Sequence, residues 1–275
     1  MGHVLIVGCG YVGTALGLRL ATRGHVVWAL RRNPAGLPMT LHGVEADLLV
    51  PNTLRHLPRV DAVVYLIGPV REDDAARADA WVHGLRYLLS ALEPQRGSIR
   101  RLLFASSVEV YGDREGAWVD EDSAVSGTSA LARHRLEGER LAQKGAIPTT
   151  VVRLGRVFGP GRPGLLDQVT AGEACDAPCW LNLIHRDDAV GALHHLLDLR
   201  SAPGEVVVTD GAPVLEHEAA AWMRTRLGKP PRSADPEPGV ARGVRCLNDR
   251  LLASGHAFAY PSYREGYAAL LSRMR

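Results

Sequence analysis

Apolar positions along the chain follow two alternating periods, which predict strands and helices in turn. Short apolar runs bounded by turn residues predict buried strands, and apolar positions three or four residues apart predict helices. The predicted strands are 4–7, 25–30, 43–46, 61–67, 101–105, 149–154, 180–184 and 205–209. The predicted helices are 11–23, 72–92, 129–143, 186–199 and 215–227. This alternation predicts an α/β fold with a doubly wound, mainly parallel sheet.

A glycine turn, Gly8-Cys-Gly10-Tyr11-Val12-Gly13, joins the first predicted strand to the first predicted helix. In this context the first glycine permits a tight turn, the second lets backbone approach a pyrophosphate, and the third lets helix and strand pack closely. The helix N-terminus adds N–H groups and the positive end of a dipole. The turn therefore predicts a dinucleotide site in a Rossmann sheet. The alternative is that the glycines serve only turn geometry and packing.

The alternation becomes less regular beyond residue 155, which predicts a small C-terminal substrate lobe. We expect a Rossmann domain from 1–155 and 181–209, and the lobe from 156–180 and 210–275. The proline-rich segment 229–240 is predicted to be a loop.

The second predicted strand ends in Arg31 and Arg32, with no acidic residue beside them. An acid at this position accepts from the adenosine ribose and favours NAD, whereas an arginine accommodates the 2′-phosphate of NADP. The two arginines thus favour NADP(H) over NAD(H), because guanidinium pairs well with phosphate. The alternative is two solvated arginines in an arginine-rich chain. Further predicted contacts to the cofactor are Asp47, Leu66, Ile67 and Gly68.

Composition and charge narrow the possible partners. The 275 residues are 46% apolar and 23% charged, with a net charge of +2. No basic run indicates nucleic acid, and no stretch of 18 apolar residues indicates a membrane span. The first strand begins at once, without a leader, so a cytoplasmic location and a small-molecule substrate are expected. Cys175 and Cys179 have ligand-like spacing but no second pair nearby, so no metal site is predicted.

The chain resembles the extended short-chain dehydrogenase/reductases, the NAD(P)-dependent epimerase/dehydratase group, over nearly its whole length. The matching segments are Gly8–Gly13, Ala46–Leu48, Ser106–Gly112, Val152–Leu154, Phe158–Gly161, Leu183–Asp188 and Tyr260–Gly266. The resemblance implies an NAD(P)-dependent oxidoreductase with a Rossmann fold. It also implies a homodimer formed through the two long helices, 72–92 and 129–143.

The resemblance departs from the family pattern at its central catalytic pair, a Tyr-x-x-x-Lys on the helix after the fifth strand. Ser107 matches the family's serine. Aligning Glu139 with the family's acid on that helix puts Arg135 at the lysine position and Leu131 at the tyrosine position. No tyrosine in the chain is followed four residues later by lysine. Arginine can hold a ribose hydroxyl, but its pKa is too high for acid–base work.

Ser107 is the residue expected to orient substrate, because it ends the fifth strand, where ligands bind in such sheets. Three other side chains are candidates to replace the missing proton donor: Tyr111, His134 and His185. Each has a structural alternative. Tyr111 is often structural in the family, His134 suits a solvated helix face, and His185 suits positioning of the helix that follows it.

Three functions follow from these residues. The first is an NADPH-dependent reductase of a small-molecule C=O, C=N or activated C=C bond, with Ser107 orienting substrate and a non-standard proton donor. The second is a non-standard epimerase, isomerase or lyase of the same family, which the missing tyrosine disfavours. The third is an NADP(H)-binding sensor or scaffold without catalysis.

Overall fold

The computed structural model describes residues 2–173, 178–230 and 241–273. Its strands are β1 His3–Val7, β2 Val26–Arg31, β3 His42–Glu45, β4 Ala62–Tyr65, β5 Arg101–Ser107, β6 Ala117–Val119, β7 Thr149–Leu154, β8 Arg156–Phe158, β9 Trp180–Leu181, β10 Leu183–His185, β11 Glu205–Val208, β12 Val214–Leu215 and β13 Val244–Cys246. Its helices are α1 Tyr11–Thr22, α2 Asp74–Ala78, α3 Gly84–Leu92, α4 Ala130–Lys144, α5 Leu165–Ala171, α6 Arg186–Asp198, α7 Glu216–Arg226, α8 Asp249–Ala253 and α9 Tyr263–Ser272. Cys175 lies outside the described residues, and so do residues 231–240 of the predicted loop 229–240.

The central sheet has seven parallel strands in the order β11-β7-β5-β4-β1-β2-β3. Chain order reverses beside β1, which pairs with β2 on one side and β4 on the other. In open α/β sheets, ligands bind outside the carboxyl ends of the strands at such a reversal. The predicted doubly wound Rossmann fold is confirmed, and the glycine turn lies at the carboxyl end of β1.

The core forms because the central strands are apolar on both faces, as strands covered by helices on both sides require. Residues 4–7 of β1 and all four residues of β4 are buried. Leu5, Val7 and Tyr65 join a cluster that includes Leu85 and Leu88 of α3. This packing fixes the carboxyl edge of the sheet, where the predicted nucleotide site lies.

The predicted helix 72–92 is wrong in one respect, because it is interrupted. α2 and α3 are separated by a π-helical turn, Asp79–His83, in which each carbonyl is bonded one residue further along than in an α-helix. Within this turn the carbonyl of Ala80 accepts a hydrogen bond from the buried Tyr65 hydroxyl, at 2.6 Å. Trp81 of the same turn is buried in the core.

The predicted strand 180–184 is two strands, β9 and β10, separated by Asn182. The Asn182 side-chain amide donates to the Val244 carbonyl at 2.8 Å, and its oxygen accepts from the Cys246 N–H at 2.7 Å. Through these two bonds, the Asn182 side chain holds the backbone of β13 beside β9 and β10. The β9–β10 break follows from this contact with a strand more than 60 residues away.

The chain divides into two compact units. Unit 1 comprises residues 1–110, 126–153 and 190–206, and unit 2 comprises 111–125, 154–189 and 207–275. The domain bounds predicted from the sequence stay a prediction.

Candidate nucleotide-binding site and substrate-side residues

The glycine turn of unit 1 has no room for side chains at two of its three glycines. Gly8 has φ +92°, and a Cβ on it would lie 2.9 Å from the Leu66 carbonyl oxygen. A Cβ on Gly13 would lie 2.6 Å from the Gly8 carbonyl oxygen. Both distances are shorter than any ordinary carbon–oxygen contact. The turn therefore packs tightly against α1 and against the chain that follows β4.

The N-terminus of α1 offers what a phosphate requires. Gly10 is the N-cap, and no side chain of the described residues caps the helix there. The first turn, Tyr11, Val12 and Gly13, carries no acid to neutralise the dipole. A Cβ built on Gly10 meets no atom of the described chain within 4 Å, so the space in front of it is open. N–H groups, a positive dipole end and an open approach together fit a dinucleotide pyrophosphate.

Arg31 lies close enough to this turn to act on it electrostatically, and Arg32 is the next residue in the chain. Arg31 ends β2 and is exposed, as is Arg32. Burial raises the pKa of the Cys9 thiol in the turn, and the positive charge of Arg31 opposes that rise. Within the described part of the chain neither arginine forms an ion pair with a carboxylate, so both guanidinium groups remain available to a phosphate.

Asp47 is held by its own turn. Its carboxylate accepts from the Leu49 N–H at 2.9 Å. The Thr53 hydroxyl accepts from the Asp47 N–H at 3.0 Å and donates to the Asp47 carbonyl at 2.9 Å. This turn fixes the half-buried Asp47 just beyond β3, which is two strands away from β1 in the sheet.

The predicted cofactor residues Ile67 and Arg135 are linked by Trp81, which the sequence analysis did not single out. The Trp81 indole N–H donates to the Ile67 carbonyl at 3.0 Å. The Arg135 guanidinium carbon lies 4.1 Å from the centre of the Trp81 ring. The Ile67 side chain in turn reaches the space over Gly8, while Gly68 beyond it is exposed with open space at its Cα. The sequence signal that could have indicated this role was a tryptophan, Trp81, within a predicted helix.

Ser107 is the last residue of β5 and is half-buried. Its hydroxyl donates to the Glu109 carboxylate at 3.2 Å and accepts from the Glu109 N–H at 3.2 Å. The negative charge of Glu109 also acts on Arg135, whose pKa is lowered by burial and raised in part by Glu109. Ser107, Glu109 and Arg135 therefore form one neighbourhood at the carboxyl end of β5.

His134 is paired with an acid on another helix. Its Nε2 lies 3.0 Å from a carboxylate oxygen of Asp74 in α2, and its side chain is only 13% exposed. The buried Nδ1 has no hydrogen-bond partner among the residues that the structure describes. Asp74 also lies 3.4 Å from Arg133. The acid thus fixes the orientation of the His134 ring.

Behind β5 lies a buried ion pair that supports this edge. Arg153 of β7 bonds both carboxylate oxygens of Glu139 on α4, at 3.3 and 2.9 Å, and both side chains are almost wholly buried. The Ser106 hydroxyl donates to Glu139, and Arg153 also pairs with Glu205 at 3.0 Å. The pair joins α4, which carries Arg135, to β5 and β7.

Tyr111 and His185 belong to unit 2 and are both buried, His185 at 1% exposure. The His185 ring lies 4.1 Å, centre to centre, from the Tyr260 ring. Its Nδ1 accepts the Asp187 N–H at 3.2 Å at the start of α6, and burial lowers its pKa. Asp188 accepts from two backbone N–H groups near Tyr260. His185 therefore ends β10, and its Nδ1 accepts a hydrogen bond from the first turn of α6.

Most of the residues predicted for the cofactor come together in unit 1, together with Ser107 and His134. The residues that the sequence analysis did not assign to this site are Trp81, Glu109 and Asp74. Asp74 lies 60 residues from His134, so no local pattern could have revealed the pair. Within residues 2–173, 178–230 and 241–273, no helix has the length and apolar character needed to cross a bilayer.

Known proteins resemble this chain over nearly its full length. A solved structure from Methylobacillus flagellatus, assigned to the NAD-dependent epimerase/dehydratases, is 34% identical with a TM-score of 0.87 and covers 100% of this chain and 99% of its own. The 3-diazoavenalumate denitrifying reductase of a Streptomyces species is 30% identical over 305 aligned positions, covering 96% of this chain and 98% of its own. The epimerase family protein SDR39U1 of Bos taurus is 27% identical, covering 92% and 94%.

The parallel sheet and the open, uncapped glycine turn define a dinucleotide-binding α/β protein. Within that class, the chain belongs to the NAD dependent epimerase/dehydratase family, which residues 4–208 match. The resemblance drawn from the sequence motifs is thereby confirmed. Family membership makes the chain an NAD(P)-dependent enzyme of the epimerase or reductase type.

Proposed function

We propose that this protein is an NADPH-dependent reductase of a small-molecule C=O, C=N or activated C=C bond. The observation that carries the proposal is the pair Leu131 and Arg135 on α4. Leu131, which the sequence analysis aligns with the family's proton-transferring tyrosine, packs against the hydrophobic core. Arg135, which it aligns with the family's lysine, is a cation stacked on Trp81. Reversible oxidation of an alcohol depends on a base, but reduction of an activated bond needs little acid catalysis. The Streptomyces relative named as a reductase supports the same class.

The cofactor we propose is NADP(H) in preference to NAD(H). NADPH, when bound, supplies a hydride. The N–H groups at the start of α1 would hold its pyrophosphate, and the exposed Arg31 and Arg32 its 2′-phosphate. Arg135, oriented by Trp81, would bind a ribose hydroxyl. We also propose that Asp47, which follows β3, and Leu66, Ile67 and Gly68, which follow β4, contact the cofactor.

Ser107 is proposed to bind and orient the substrate. Glu109 holds the position of the serine oxygen, because its N–H donates to that oxygen and its carboxylate accepts the hydroxyl proton. To donate to a substrate oxygen or nitrogen, the hydroxyl turns its single proton from the Glu109 carboxylate to the substrate. Tyr111 and His185 are too deeply buried to meet a substrate, so we propose water as the proton source. His134, which Asp74 orients, is the side chain to test as an alternative proton donor to water.

A substrate panel with deuterated NADPH tests the reductase. The panel holds aldehydes, ketones, imines, enones and a diazo compound, the last after the name of the Streptomyces relative. We expect NADPH to be consumed and its deuterium to appear in the product of one class. Isomerised substrate without net NADPH loss indicates an epimerase, and tight binding without turnover indicates a sensor. Either outcome would overturn the reductase.

Variants assign the roles once a substrate is found. Ser107→Ala should lower kcat/KM by roughly 10²-fold, since losing a preorganised donor typically costs about 10²–10³. Ser90→Ala, on the exposed surface of α3, is the matched control and should leave kcat/KM unchanged. His134→Gln should leave the rate near the wild-type value if water supplies the proton. A homodimer and a cytoplasmic location stay predictions.

A further inference from the structure

A cluster of metal-ligating side chains lies at the amino ends of the strands, the edge opposite the glycine turn. His25 directly precedes β2, and Asp61 directly precedes β4. A cleft at this edge is lined by Gly2, His25, Asp61, Ser98, Arg100 and Asp198, all in unit 1. The proposed reductase uses none of these residues.

Three of the side chains in this region approach one another closely. One ligand atom each from His25, His194 and Asp198 lies within 4.8 Å of the other two. His194 and Asp198 are one turn apart on α6, with 3.2 Å between Nε2 and the carboxylate oxygen. His194 is 8% exposed, and the rings of the two histidines meet edge to face with 6.4 Å between their centres.

His25 provides an independent sign that a ligand is missing from its surroundings. Its Nδ1 is buried, and no hydrogen-bond partner for it occurs in the described parts of the chain. Buried polar atoms in folded proteins almost always have a partner, and each exception calls for an explanation. The ring as a whole is half-buried and lines the cleft.

We propose that His25, His194 and Asp198 bind a divalent transition-metal ion, with zinc the best match. Two imidazoles and one carboxylate, completed by water, form a common zinc ligand set. Bound metal would join the segment before β2 to the C-terminal turn of α6 and so stabilise unit 1. The site is separate from the nucleotide-binding edge of the sheet.

The present spacing is close to that of such a site. Tetrahedral zinc with bonds of about 2.0–2.2 Å holds its ligand atoms roughly 3.3–3.5 Å apart. His194 and Asp198 are already at 3.2 Å. The ligand atom of His25 lies within 4.8 Å of these two, so His25 has to approach them for all three to bind one ion. Asp61 and Arg100, which carry opposite charges, line the same cleft.

Arg19 is the group that opposes metal binding. Its Nε–H donates to Nδ1 of His194 at 3.2 Å, so the neutral ring carries its own proton on Nε2, facing Asp198. Ligation through Nε2 moves that proton to Nδ1 and breaks the bond to Arg19. Removing the Arg19 guanidinium should therefore strengthen metal binding.

The test is a titration of the chelator-treated full chain with Zn²⁺ by calorimetry and with Co²⁺ by absorption. We expect one ion per chain, with cobalt d–d bands and no sulfur-to-cobalt charge-transfer band. His25→Ala and His194→Ala should each weaken binding more than about tenfold, since even loss of an outer-shell partner costs roughly 10–100-fold. Arg19→Gln should tighten binding several-fold, a gain that misfolding cannot produce.

His83→Ala is the matched control. His83 and Asp79 also form a histidine–acid pair one turn apart, at 3.0 Å, but the pair is exposed and outside the cluster. This variant should bind zinc like the wild type. Unchanged affinity in both His25→Ala and His194→Ala overturns the proposal, as does a sulfur charge-transfer band that assigns the ion to cysteine. Failure of Arg19→Gln to tighten binding overturns the assignment of Nε2.

Discussion

The Arg135 guanidinium lies 4.1 Å above the centre of the Trp81 ring, and the Trp81 N–H donates to the Ile67 carbonyl. One aromatic side chain thus orients a cation from α4 against the loop that follows β4. Burial lowers the pKa of Arg135, but nearby carboxylates oppose this and the guanidinium stays charged. Trp81 therefore sets the direction of the cation that the sequence analysis aligns with the family's lysine.

Trp81→Phe should weaken NADPH binding. The variant keeps an aromatic face for Arg135 but loses the N–H bond to Ile67, so both cofactor-side groups are less firmly placed. A loss of about 1 kcal/mol, the usual net value of one hydrogen bond, corresponds to about fivefold in Kd. Calorimetric titration with NADPH measures the change.

Trp222→Phe is the corresponding control. Trp222 also stacks with an arginine, Arg226, at 5.1 Å, but both residues are in α7 of unit 2. NADPH affinity should not change in this variant. Equal affinity in the Trp81 variant and the wild type would mean that Arg135 does not take part in cofactor binding.

The double variant Arg31→Ala/Arg32→Ala should lose its preference for NADPH over NADH. Removing the guanidinium groups removes the charge-assisted bonds to the 2′-phosphate, each worth roughly 1.5–3 kcal/mol, whereas NADH has no such group. We expect NADPH to bind at least about tenfold more weakly and NADH binding to change little. Arg86→Ala, exposed on α3, controls for the loss of surface charge. A parallel loss for both cofactors would show that the arginines do not read the 2′-phosphate.

Local sequence patterns were sufficient for the framework of unit 1. The bounds of β7, Thr149–Leu154, match the prediction, and the glycine turn predicted the start of α1 at Tyr11. These elements depend on apolar runs and on glycine geometry, both of which are local. The split at Asn182 is different, because it depends on hydrogen bonds to a distant strand.

The same distinction applies to the candidate site. Ser107 and Arg135 follow from motif positions, because each occupies a fixed place at the end of a strand or on a helix. Trp81 and Asp74 do not, since their contacts join helices far apart in sequence. The burial of His185 could not be predicted from the local sequence either, because the ring packs against Tyr260, 75 residues away.

Arg153→Met should strongly destabilise the protein. It leaves the Glu139 carboxylate buried without its main cation, and breaking a buried pair from one side typically costs about 3–5 kcal/mol. Glu139→Gln should cost less, because the amide oxygen still accepts from Arg153. Urea unfolding of both variants measures the free energies.

Arg71→Ala breaks a solvated ion pair, Arg71–Asp73 at 2.7 Å, and serves as the control. Its unfolding midpoint should match the wild type, because exposed pairs contribute little. A second check is the double variant Arg153→Met/Glu139→Leu, which should recover part of the loss because the fully buried Glu139 charge is gone and the remaining partner, Glu205, is 28% exposed. No recovery would indicate that lost packing, rather than an unpaired carboxylate, explains the effect.

Asp210 in unit 2 should make stability fall as pH rises. Burial raises the pKa of this carboxyl to about 7, the charges of Glu265 and Asp188 add to the rise, and a bond from the Ala212 N–H at 3.0 Å opposes it. The unfolded pKa is about 3.9, so between about pH 4 and 7 the folded state binds more protons than the unfolded state. The contribution is therefore fully present below about pH 4 and lost by about pH 7, up to about 4 kcal/mol.

Asp210→Asn should remove this dependence, because the amide keeps an acceptor for Ala212 but does not ionise. Urea unfolding from pH 5 to 8 should show the variant gaining on the wild type as pH rises. Asp113 provides a control of opposite sign, because bonds from the Glu115 and Gly243 N–H groups lower its pKa. Its ionised form stabilises the fold above about pH 4, so Asp113→Asn should lose stability at neutral pH. Parallel curves for Asp210→Asn and the wild type would mean that Asp210 is already ionised throughout this range.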